Sequence, residues 1–544
     1  MAMHSAVLLP LALVALHTTS TSARFAHTYG SHMVLQKAPQ RAVVWGYYTS
    51  GTVDQVTLIL DAVPVPVFEG QEQGTWMAKL PATPASNTPH TLVLSENNTT
   101  TTLNDVLFGD VWVCSGQSNM AFLLQNAFNG STLVKESINY PNLRVFTSFK
   151  NNSPRPLAEQ PHVEERWSRS SPAAVSQAAH RLHQVQQPLD DDWLIFSAVC
   201  YLYGVELMKH TSYPIGLVNT NWGGTPVEFW SSKESLEQCN DDQNTSGGAK
   251  NLPKGIIGGA YNGMLKPLLN MSIYGAIWYQ GESNANDVVT TVDPQGLPMV
   301  TYGCTFPSMI ADWRKKWHEG SLGETSDMFY FGYVQLASWV ASGTGPSQIR
   351  WAQSAGYGHV PNVQMPNVFN AVAIDLTDRT SPYGSVHIRD KVTVAKRLSA
   401  GGLAMAYGNK NVYWQGPIVK SARVLNHTIV VTFGNVGGNG LEIRNATGWE
   451  MCVLDATNPG LNCSLTDAAN TTGVHGTWFA AHVLGSSNST VTVKGEAEWG
   501  EILMNDQQRT MVRYGWKSLA WEYKQGGVYS MDFPASPFVV VVAG

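Results

Sequence analysis

Fully apolar runs of strand length alternate with helix-like runs between about residue 104 and residue 409. Strands that are apolar on both faces are typical of a parallel sheet covered by helices on both sides. This pattern predicts an α/β domain over residues 104–409. The strand-like runs are Asp110–Cys114, Ile215–Asn219, Tyr274–Tyr279, Phe329–Val334 and Ala371–Asp375, and the helix-like runs are Phe196–Met208 and Val392–Tyr407.

Short β-like runs broken by turn residues lie on either side of this domain, over residues 24–103 and 410–544. That spacing is typical of β-sandwich modules, and a chain of 544 residues has room for two or three domains. We expect one β-sandwich-like module at each end. The alternative that the two flanking segments are halves of one module stays open.

The N-terminus has the pattern of a secretory signal peptide, predicted over residues 1–23. An apolar run, Ala6–Leu16, is followed by small and hydroxylated residues that end at Ala23. The run is too short to span a bilayer, and no membrane span is expected. Eleven N-x-S/T triplets predict a glycoprotein, destined for secretion or for the lysosome.

The chain has six cysteines. Cys452 and Cys463 bracket a short loop, and they predict a local disulfide. Cys239 and Cys304 lie in polar surroundings and are candidates for a second. Cys114 and Cys200 lie in apolar runs, where buried free thiols are expected.

Charge and motifs exclude several function classes. The net charge is −6 and no long basic run occurs, so nucleic acid is not an expected partner. No dinucleotide fingerprint, phosphate loop or metal-ligand spacing follows the strands, so neither cofactor nor metal is expected.

Polar clusters follow four of the strand-like runs. Ligands of parallel α/β sheets bind beyond the carboxyl ends of the strands, so these clusters predict a site at one edge of the sheet. The clusters read S-G-Q-S-N-M from Ser115, N-T-N-W-G-G-T-P from Asn219, W-Y-Q-G-E-S-N from Trp278, and D-L-T-D-R-T-S-P-Y-G-S-V-H-I-R-D from Asp375.

The residue types in these clusters meet the needs of acyl transfer. Ser118 is a candidate nucleophile, and His387 is the candidate base because an imidazole titrates near neutrality. A tetrahedral intermediate needs preorganised donors, for which the backbone N–H groups of Ser118 and of Gly223 or Gly224, and the side chain of Gln280, are candidates. The rival base, His359, has no acidic neighbour in sequence.

The motifs G-Q-S-N-M, N-W-G-G-T-P and W-Y-Q-G-E-S-N, in this order, closely resemble the sialate O-acetylesterase family of SGNH-type hydrolases. The later D-L-T-D-R-T-S-P-Y-G-S-V-H-I-R-D-K is similar to its histidine block, and the resemblance runs from residues 32–37 to residues 521–525. It implies an SGNH-hydrolase-like α/β fold. It also implies a serine esterase that removes O-acetyl groups, at the 9-position, from sialic acid or a sialoglycan. The family's nucleophile falls on Ser118, its base on His387, and its oxyanion donors on Ser118, Gly223 or Gly224, and Gln280.

One position departs from the pattern of SGNH hydrolases, many of which carry an acid three residues before the histidine. Here that residue is Gly384. Asp378, in the same loop, is the first candidate to orient His387. Asp375, Glu282 and a backbone carbonyl are alternatives, and a dyad without an acid stays open.

The carboxylate of a sialic acid would suit a guanidinium, and Arg350 and Arg379 are candidates. Trp222, with Trp230 and Trp278 as alternatives, is a candidate for stacking on a sugar face. Two other functions stay open. One is an acetylesterase for another carbohydrate, and the other is a glycan-binding glycoprotein without catalysis.

Overall fold

The computed structural model describes residues 22–49, 51–176, 196–239, 256–287, 289–455, 463–465, 476–495 and 508–543. The apolar run of the predicted signal peptide lies outside these residues. The N-terminal part of the chain forms strands β1 (Arg24–Phe25), β2 (Val34–Gln36), β3 (Val43–Tyr47), β4 (Thr57–Leu60), β5 (Val63–Val65), β6 (Phe68–Glu69), β7 (Thr75–Lys79), β8 (Ser86–Glu96) and β9 (Thr99–Gly116).

Strand β9 is long enough to belong to two parts of the fold. Its first half pairs with β8 in antiparallel register, whereas residues 110–116 pair in parallel with strands of the central sheet. β2, β4, β5 and β8 therefore belong to the central sheet, and only β1, β3, β7 and β6 form a sheet of their own. The N-terminal β region is thus not a detached sandwich, and the predicted boundary at residues 103 and 104 lies inside β9.

The central sheet has the order β11-β10-β12-β9-β13-β16-β17. Along this order neighbouring strands are parallel, except that β11 is antiparallel to β10 at the edge. β14 and β15 form a separate hairpin. The strands after β9 are β10 (Leu143–Thr147), β11 (Glu165–Arg169), β12 (Ile215–Asn221), β13 (Gly275–Tyr279), β14 (Val289–Val292), β15 (Pro298–Val300), β16 (Tyr330–Gln335) and β17 (Val368–Val372).

The α-helices are α1 (Ser118–Ala121), α2 (Gly130–Glu136), α3 (Pro172–Val175), α4 (Ala198–Thr211), α5 (Lys233–Glu237), α6 (Tyr302–Gly320), α7 (Gly345–Ala352) and α8 (Lys391–Met405). Short 3-10 turns span Val53–Gln55, Leu124–Asn126, Ser137–Asn139, Val227–Trp230, Lys266–Leu268 and Glu282–Asn284, and a π-helical turn spans Tyr261–Leu265.

Helices pack on both faces of the central sheet. On one face the Trp112 ring meets the Tyr203 ring of α4, with centroids 5.1 Å apart. On the other face the Trp278 ring meets the Trp313 ring of α6 at 5.7 Å. Both sides of these strands are buried, which explains why their sequences are apolar without alternation.

Three disulfides are present. The predicted Cys239–Cys304 and Cys452–Cys463 bridges are confirmed. The prediction of free thiols at Cys114 and Cys200 is wrong, because α4 packs on the face of β9 that carries Cys114 and brings the two Cα atoms to 5.7 Å. Disulfides of this kind are typical of extracellular or lumenal proteins.

The C-terminal region is a closed barrel in the order β18-β19-β23-β22-β21-β24-β27. It differs from the predicted sandwich because β27 pairs with both β24 and β18 and so closes the sheet. The barrel strands are β18 (Ile418–Leu425), β19 (Thr428–Gly434), β21 (Trp449–Asp455), β22 (Trp478–Ser486), β23 (Thr490–Gly495), β24 (Gln508–Tyr514) and β27 (Phe538–Ala543). A separate three-stranded sheet contains β20 (Glu442–Ile443), β25 (Val528–Ser530) and β26 (Phe533–Pro534).

Several predicted glycosylation sites are exposed, namely Asn97, Asn98, Asn129, Asn426 and Asn488. Three others, Asn244, Asn462 and Asn470, lie outside the described residues. Within the described part of the chain, no helix combines the length and hydropathy needed to cross a bilayer.

Candidate active site

The polar turn that carries Ser118 begins where β9 ends. Gly116 has φ of +141°, and a Cβ at this position would lie 2.2 Å from the carbonyl oxygen of Tyr279, so only glycine fits. The chain then turns through Gln117, whose N–H donates to the same carbonyl, and α1 starts at Ser118. Close packing of β9 against β13 therefore puts Ser118 at the carboxyl edge of the sheet, and it remains partly exposed.

The loop that carries His387 is closed at its neck by an ion pair. The Arg389 guanidinium donates to both oxygens of Asp378, at 2.7 and 2.8 Å, and the Arg389 N–H donates to the same carboxylate. Inside the loop the hydroxyl of Ser381 donates to the His387 carbonyl at 2.6 Å. These contacts hold the loop over the end of β9.

Ser118 and His387 meet at hydrogen-bonding distance. His387 Nε2 lies 2.8 Å from Ser118 Oγ, and Nδ1 lies 2.6 Å from the carbonyl oxygen of Tyr383. A carbonyl only accepts, so Nδ1 carries the proton and Nε2 is left as an acceptor for the Ser118 hydroxyl. Burial lowers the pKa of His387 below its usual value, which favours the neutral imidazole that a base requires.

Gly223 and Gly224 lie beside the turn that carries Ser118, the candidate nucleophile, which we call the nucleophile turn. A Cβ at Gly223 would be 3.5 Å from Ser118 Cβ, and the left-handed φ of +71° at Gly224 suits glycine. The Trp222 N–H donates to the carbonyl of Gly116 and ties this loop to the turn. Among the described residues, the amides of Ser118 and Gly223 have no hydrogen-bond acceptor.

Gln280 lies beneath the site, and its amide hydrogens are engaged. Its Nε2 donates to Asn284 Oδ1 at 2.7 Å and also contacts Gln117 Oε1 and the Thr225 carbonyl, each at 3.2 Å. The side chain is fully buried. The structure thus brings Gln280 to the base of the site, where it joins three strand-end loops, and not to an open position above Ser118.

The acidic candidates for orienting His387 have other partners. Asp378 faces Arg389, as described above. Asp375 is fully buried and forms a bidentate ion pair with Arg397, while Glu282 Oε1 accepts a hydrogen bond from Asn119 Nδ2 at 2.6 Å. The group that contacts His387 Nδ1 is the carbonyl of Tyr383, which corresponds to the backbone carbonyl named as an alternative to an acidic residue.

Most of the residues predicted to bind substrate are also buried or engaged with other partners. Arg350 is fully buried and donates to the carbonyls of Leu336, Ala337, Lys517 and Ser518, and burial lowers its pKa to about 9. Arg379 forms an exposed ion pair with Glu522. Trp230 and Trp278 are core residues, whereas Trp222 is half-buried beside Gly223. The rival base His359 has Nδ1 against the carbonyl of Tyr357.

Sequence reasoning missed a buried polar chain beneath the site. Lys391 Nζ lies 2.5 Å from Asn119 Oδ1, and Asn119 Nδ2 donates to Glu282 and to the carbonyl of Val386. Asn119 directly follows Ser118, and Lys391 follows the histidine block in sequence. Those positions were the available signal, but a lysine at the start of a helix is usually a solvated residue.

Residues 108–394 match the family described as carbohydrate esterase, sialic acid-specific acetylesterase. Residues 420–542 match the sialate O-acetylesterase C-terminal domain. The chain is 35% identical to the sialate O-acetylesterase of Mus musculus over 560 residues, which covers 96% of this chain and 94% of that protein. It is 34% identical to the sialate O-acetylesterase of Homo sapiens, covering 98% and 96%.

Among solved structures, the chain is similar to a carbohydrate acetylesterase from Xanthomonas citri. The TM-score is 0.70 at 25% identity, and the match covers 95% of this chain and 99% of that one. The likeness extends over the β-rich regions as well as the central sheet. Among the described residues, no group of three or more His, Cys, Asp or Glu side chains is arranged to hold a metal ion.

Proposed function

We propose that this chain, which belongs to the sialate O-acetylesterase family and is a carboxylic ester hydrolase, removes O-acetyl groups from sialic acids. In this proposal Ser118 is the nucleophile and His387 is the base. The single observation that carries the mechanism is the 2.8 Å contact between Ser118 Oγ and His387 Nε2. A hydroxyl that donates to a neutral imidazole at this distance is poised to lose its proton as it attacks.

The reaction proceeds by acyl transfer through two tetrahedral intermediates. Ser118 Oγ bonds to the acetyl carbonyl carbon while its proton passes to His387 Nε2, and the carbonyl oxygen becomes an oxyanion. The intermediate collapses with cleavage of the bond to the sugar oxygen, which takes the proton from Nε2. Water, deprotonated by the same nitrogen, then attacks the acetyl-serine, and acetate leaves as Ser118 recovers its proton.

The oxyanion is stabilised by the N–H groups of Ser118 and Gly223, with Gly224 as the alternative donor. The absence of acceptors for the first two amides among the described residues supports this role, because such donors are available to a developing negative charge. Gln280 contributes by holding the turn of Gln117 in place.

His387 is oriented by the Tyr383 carbonyl, so the catalytic unit is a Ser–His dyad with a backbone acceptor. Asp378 acts one step further away, because its ion pair with Arg389 sets the shape of the histidine loop. The family's SGNH-type character and the parallel order of the central strands support this assignment of the site to the carboxyl edge of the sheet.

The preferred substrate is a 9-O-acetylated sialic acid or sialoglycan. The glycerol tail of a sialic acid ends in a primary hydroxyl, so its acetyl ester is the least hindered for a serine above a sheet edge. Trp222, half-buried beside Gly223, is the candidate to contact the sugar. The signal-like N-terminus and the disulfides support action in the secretory pathway, as a lysosomal or a secreted enzyme.

The test compares Ser118→Ala with Ser115→Ala, a matched control. Ser115 precedes the nucleophile by three residues, and its buried hydroxyl has no hydrogen-bond partner among the described residues, so its loss should matter little. We expect Ser118→Ala to abolish release of acetate from 9-O-acetylated sialic acid and labelling by a fluorophosphonate. Turnover retained by folded Ser118→Ala protein contradicts the proposal.

A second candidate is an acetylesterase for another carbohydrate, such as acetylated xylan. Two observations favour it: the structural similarity to the Xanthomonas citri enzyme, and the burial of Arg350, which leaves that guanidinium unable to grip a sialate carboxylate. A panel of acetylated sugars, compared by kcat/KM, separates the two. The third reading, a non-catalytic glycan-binding protein, does not agree with membership of a carbohydrate esterase family, and it would predict that Ser118 is not labelled by a fluorophosphonate.

A further inference from the structure

Lys391 is a buried lysine next to the site. The proposed mechanism does not use it, and it forms no ion pair within the described part of the chain. It is the first residue of α8 and has no exposed surface. Its Nζ lies over the rings of Phe122 and Tyr279, 4.7 and 4.9 Å from their centroids. A buried ammonium is costly unless it is paired, so a lysine in this position requires specific partners.

The partner that Nζ reaches is the side-chain oxygen of Asn119, at 2.5 Å. The other end of the same carboxamide donates to Glu282 Oε1 at 2.6 Å and to the Val386 carbonyl at 2.8 Å. Only one orientation of the amide satisfies all three contacts. If the amide flipped, its oxygen would face a carboxylate and a carbonyl, while its NH2 group would face the ammonium.

The residues joined by this amide flank the reacting pair. Asn119 is the neighbour of Ser118 along the chain, and Val386 is the neighbour of His387. The hydrogen bond from Asn119 to Val386 is therefore a direct link between the nucleophile turn and the histidine loop. Lys391 and Glu282 lie at the two ends of the amide and have opposite formal charges. Each is therefore the counter-charge of the other, and together they hold the Asn119 carboxamide in place.

We propose that Lys391 is a positioning residue: by holding the Asn119 carboxamide against Glu282 and Val386, it sets the separation of Ser118 and His387. The proposal rests on the proposed function of these two residues. It also predicts an electrostatic effect, because a positive charge near His387 disfavours the imidazolium form.

The pKa shifts are consistent with this arrangement. Burial lowers the pKa of Lys391 to about 7 and raises the pKa of Glu282. Burial is also the main cause of the lowered pKa of His387, and the charge of Lys391 acts in the same direction. The titratable and charged groups around Lys391 are Glu282 and Tyr279 from the end of β13, His387 and the Asp378–Arg389 pair from the histidine loop, and Asp390 with its partners Tyr523 and Lys524.

The experiment uses the full chain and compares Lys391→Met, Asn119→Ala and the double variant. Lys396→Met, an exposed lysine on the same helix, is the matched control. kcat and KM are measured from pH 5 to pH 9 with p-nitrophenyl acetate and with 9-O-acetylated sialic acid. Fluorophosphonate titration counts the competent sites, so that rates refer to folded enzyme.

We expect Lys391→Met to lower kcat about 10–100-fold at a nearly constant KM, because small misplacements of reacting groups have effects of this size. The acid limb of the pH profile of kcat for this variant should move to higher pH, because removing the positive charge favours protonation of His387. Because Lys391 acts through Asn119, the double variant should be no slower than Asn119→Ala alone, within about threefold. A kcat for Lys391→Met within twofold of the wild type, or losses that multiply in the double variant, overturns the proposal.

Lys391→Gln keeps a donor for Asn119 without the charge, and it serves if Lys391→Met does not fold. Lys391→Gln should keep most of kcat and still move the acid limb of the pH profile to higher pH. If the acid limb does not move, the predicted effect of the Lys391 charge on His387 is overturned. Ser118→Ala separates the two levels of inference. If it stays active, the proposed function fails, whereas an inactive Ser118→Ala beside a fully active Lys391→Met refutes only the role of Lys391.

Discussion

The N-terminal β region and the C-terminal barrel support different parts of the α/β domain. The N-terminal region holds strands: β2 pairs in parallel with β9, and β8 pairs with β9 in antiparallel register. The C-terminal barrel holds loops, through the connection between β24 and β25, residues 515–527, which we call the β24–β25 connection.

The contacts of the β24–β25 connection fall on the loops that follow β16 and β17. The Ser518 carbonyl accepts from the Trp339 N–H, and the Ser518 hydroxyl donates to Gly343. The Trp521 carbonyl accepts from Thr377, and the Lys524 N–H donates to Asp375. The N-terminal region thus supports the frame on which the site is built, whereas the C-terminal barrel supports the loops that carry it.

A buried arginine of the central α/β part contacts each region, and the loss of these two arginines tests the difference with the largest expected effects. Arg144 of β10 binds Asp105 and the His32 carbonyl, and Arg350 binds Lys517 and Ser518 of the β24–β25 connection. We expect Arg144→Met to cost about 1.5–3 kcal/mol of unfolding free energy, because it removes charge-assisted hydrogen bonds to Asp105, which Arg169 and His32 still contact. The kcat of its folded fraction should change less than about threefold.

Arg350→Met should lower both quantities. Each buried carbonyl left without a donor costs about 1–3 kcal/mol, and the loop after β16, which contacts Ser385 of the histidine loop through the Val340 N–H, loses its anchor. We expect kcat of the folded fraction to fall about 10–100-fold. Denaturant unfolding and site-titrated kinetics measure the two effects, and equal kcat values for the two arginine variants would remove the distinction between the regions.

Lowering the pH should inactivate the site before it weakens the frame. As the proposed base, His387 can act only when neutral, and its pKa is lowered by burial, so activity should persist below pH 6.5, the usual histidine pKa. Beneath the lowered pKa, kcat/KM should fall about tenfold per pH unit. The pH profile of kcat/KM, taken after brief exposure and on return to pH 7, measures this reversible loss.

The frame behaves differently because of Asp105. Burial alone would raise the pKa of Asp105, but hydrogen bonds from Arg144, Arg169 and His32 outweigh it and hold that pKa well below its usual range. A carboxyl with a depressed folded-state pKa stabilises the fold above its unfolded pKa of about 3.9, and this stabilisation is lost only as pH falls through the folded value. As the pH is lowered, the circular dichroism signal of the folded protein should therefore stay constant while activity falls. A simultaneous loss of signal and activity would refute the prediction that the site is inactivated before the fold is weakened.

Two tyrosine hydroxyls give a smaller, matched comparison. Tyr523 of the β24–β25 connection donates to Asp390, the N-cap of α8, at 2.6 Å, and Tyr29 donates to the Val43 carbonyl in the N-terminal region at 3.0 Å. Each Tyr→Phe change should cost about 1 kcal/mol of unfolding free energy. Only Tyr523→Phe should also lower kcat, a few-fold, because it loosens the start of α8 beside Lys391. A change of kcat in Tyr29→Phe would count against the comparison.

The smallest effect is expected at Arg379, which connects the histidine loop to Glu522 on the surface. Both side chains are about half exposed, and exposed ion pairs contribute about 0–1 kcal/mol. Arg379→Ala should therefore leave kcat unchanged and shift the unfolding midpoint by little. Kinetics at low and high salt check this, and a large loss of kcat would show that surface contacts of the β24–β25 connection also set the loop.

Much of the candidate site could be predicted from local sequence. The apolar strands and the polar clusters that follow them indicated a sheet edge, and Ser118, Gly223 and His387 could be named from residue types and motif order. Cys239–Cys304 and Cys452–Cys463 could be predicted from the composition around each cysteine. The two disulfides and the meeting of the polar clusters agree with the structure, because they depend on neighbours in sequence and on the strand direction that brings the clusters together. The roles of Ser118, Gly223 and His387 stay predictions.

The partners of long polar side chains could not be predicted in this way. Asp378 was expected to contact His387. The Arg389 guanidinium, two residues after His387, instead offers the carboxylate two parallel hydrogen bonds, whereas the imidazole could offer only its single Nδ1–H. Arg350 and Gln280 were expected to face a ligand, yet both are buried among carbonyls and amides from distant segments. Competition among donors and acceptors exists only after the segments have met.

By itself, then, the sequence determined the α/β alternation, the edge of the sheet where polar residues collect and the two motifs that carry Ser118 and His387, since each depends on local periodicity or on a short motif. Only the tertiary structure decided that β9 continues into the N-terminal region, that the C-terminal strands close into a barrel, that Cys114 meets Cys200, and that Lys391 reaches Asn119. The physical reason is that strand pairing, cross-links and buried hydrogen bonds depend on distances between residues far apart in the chain, and packing of the whole core sets those distances.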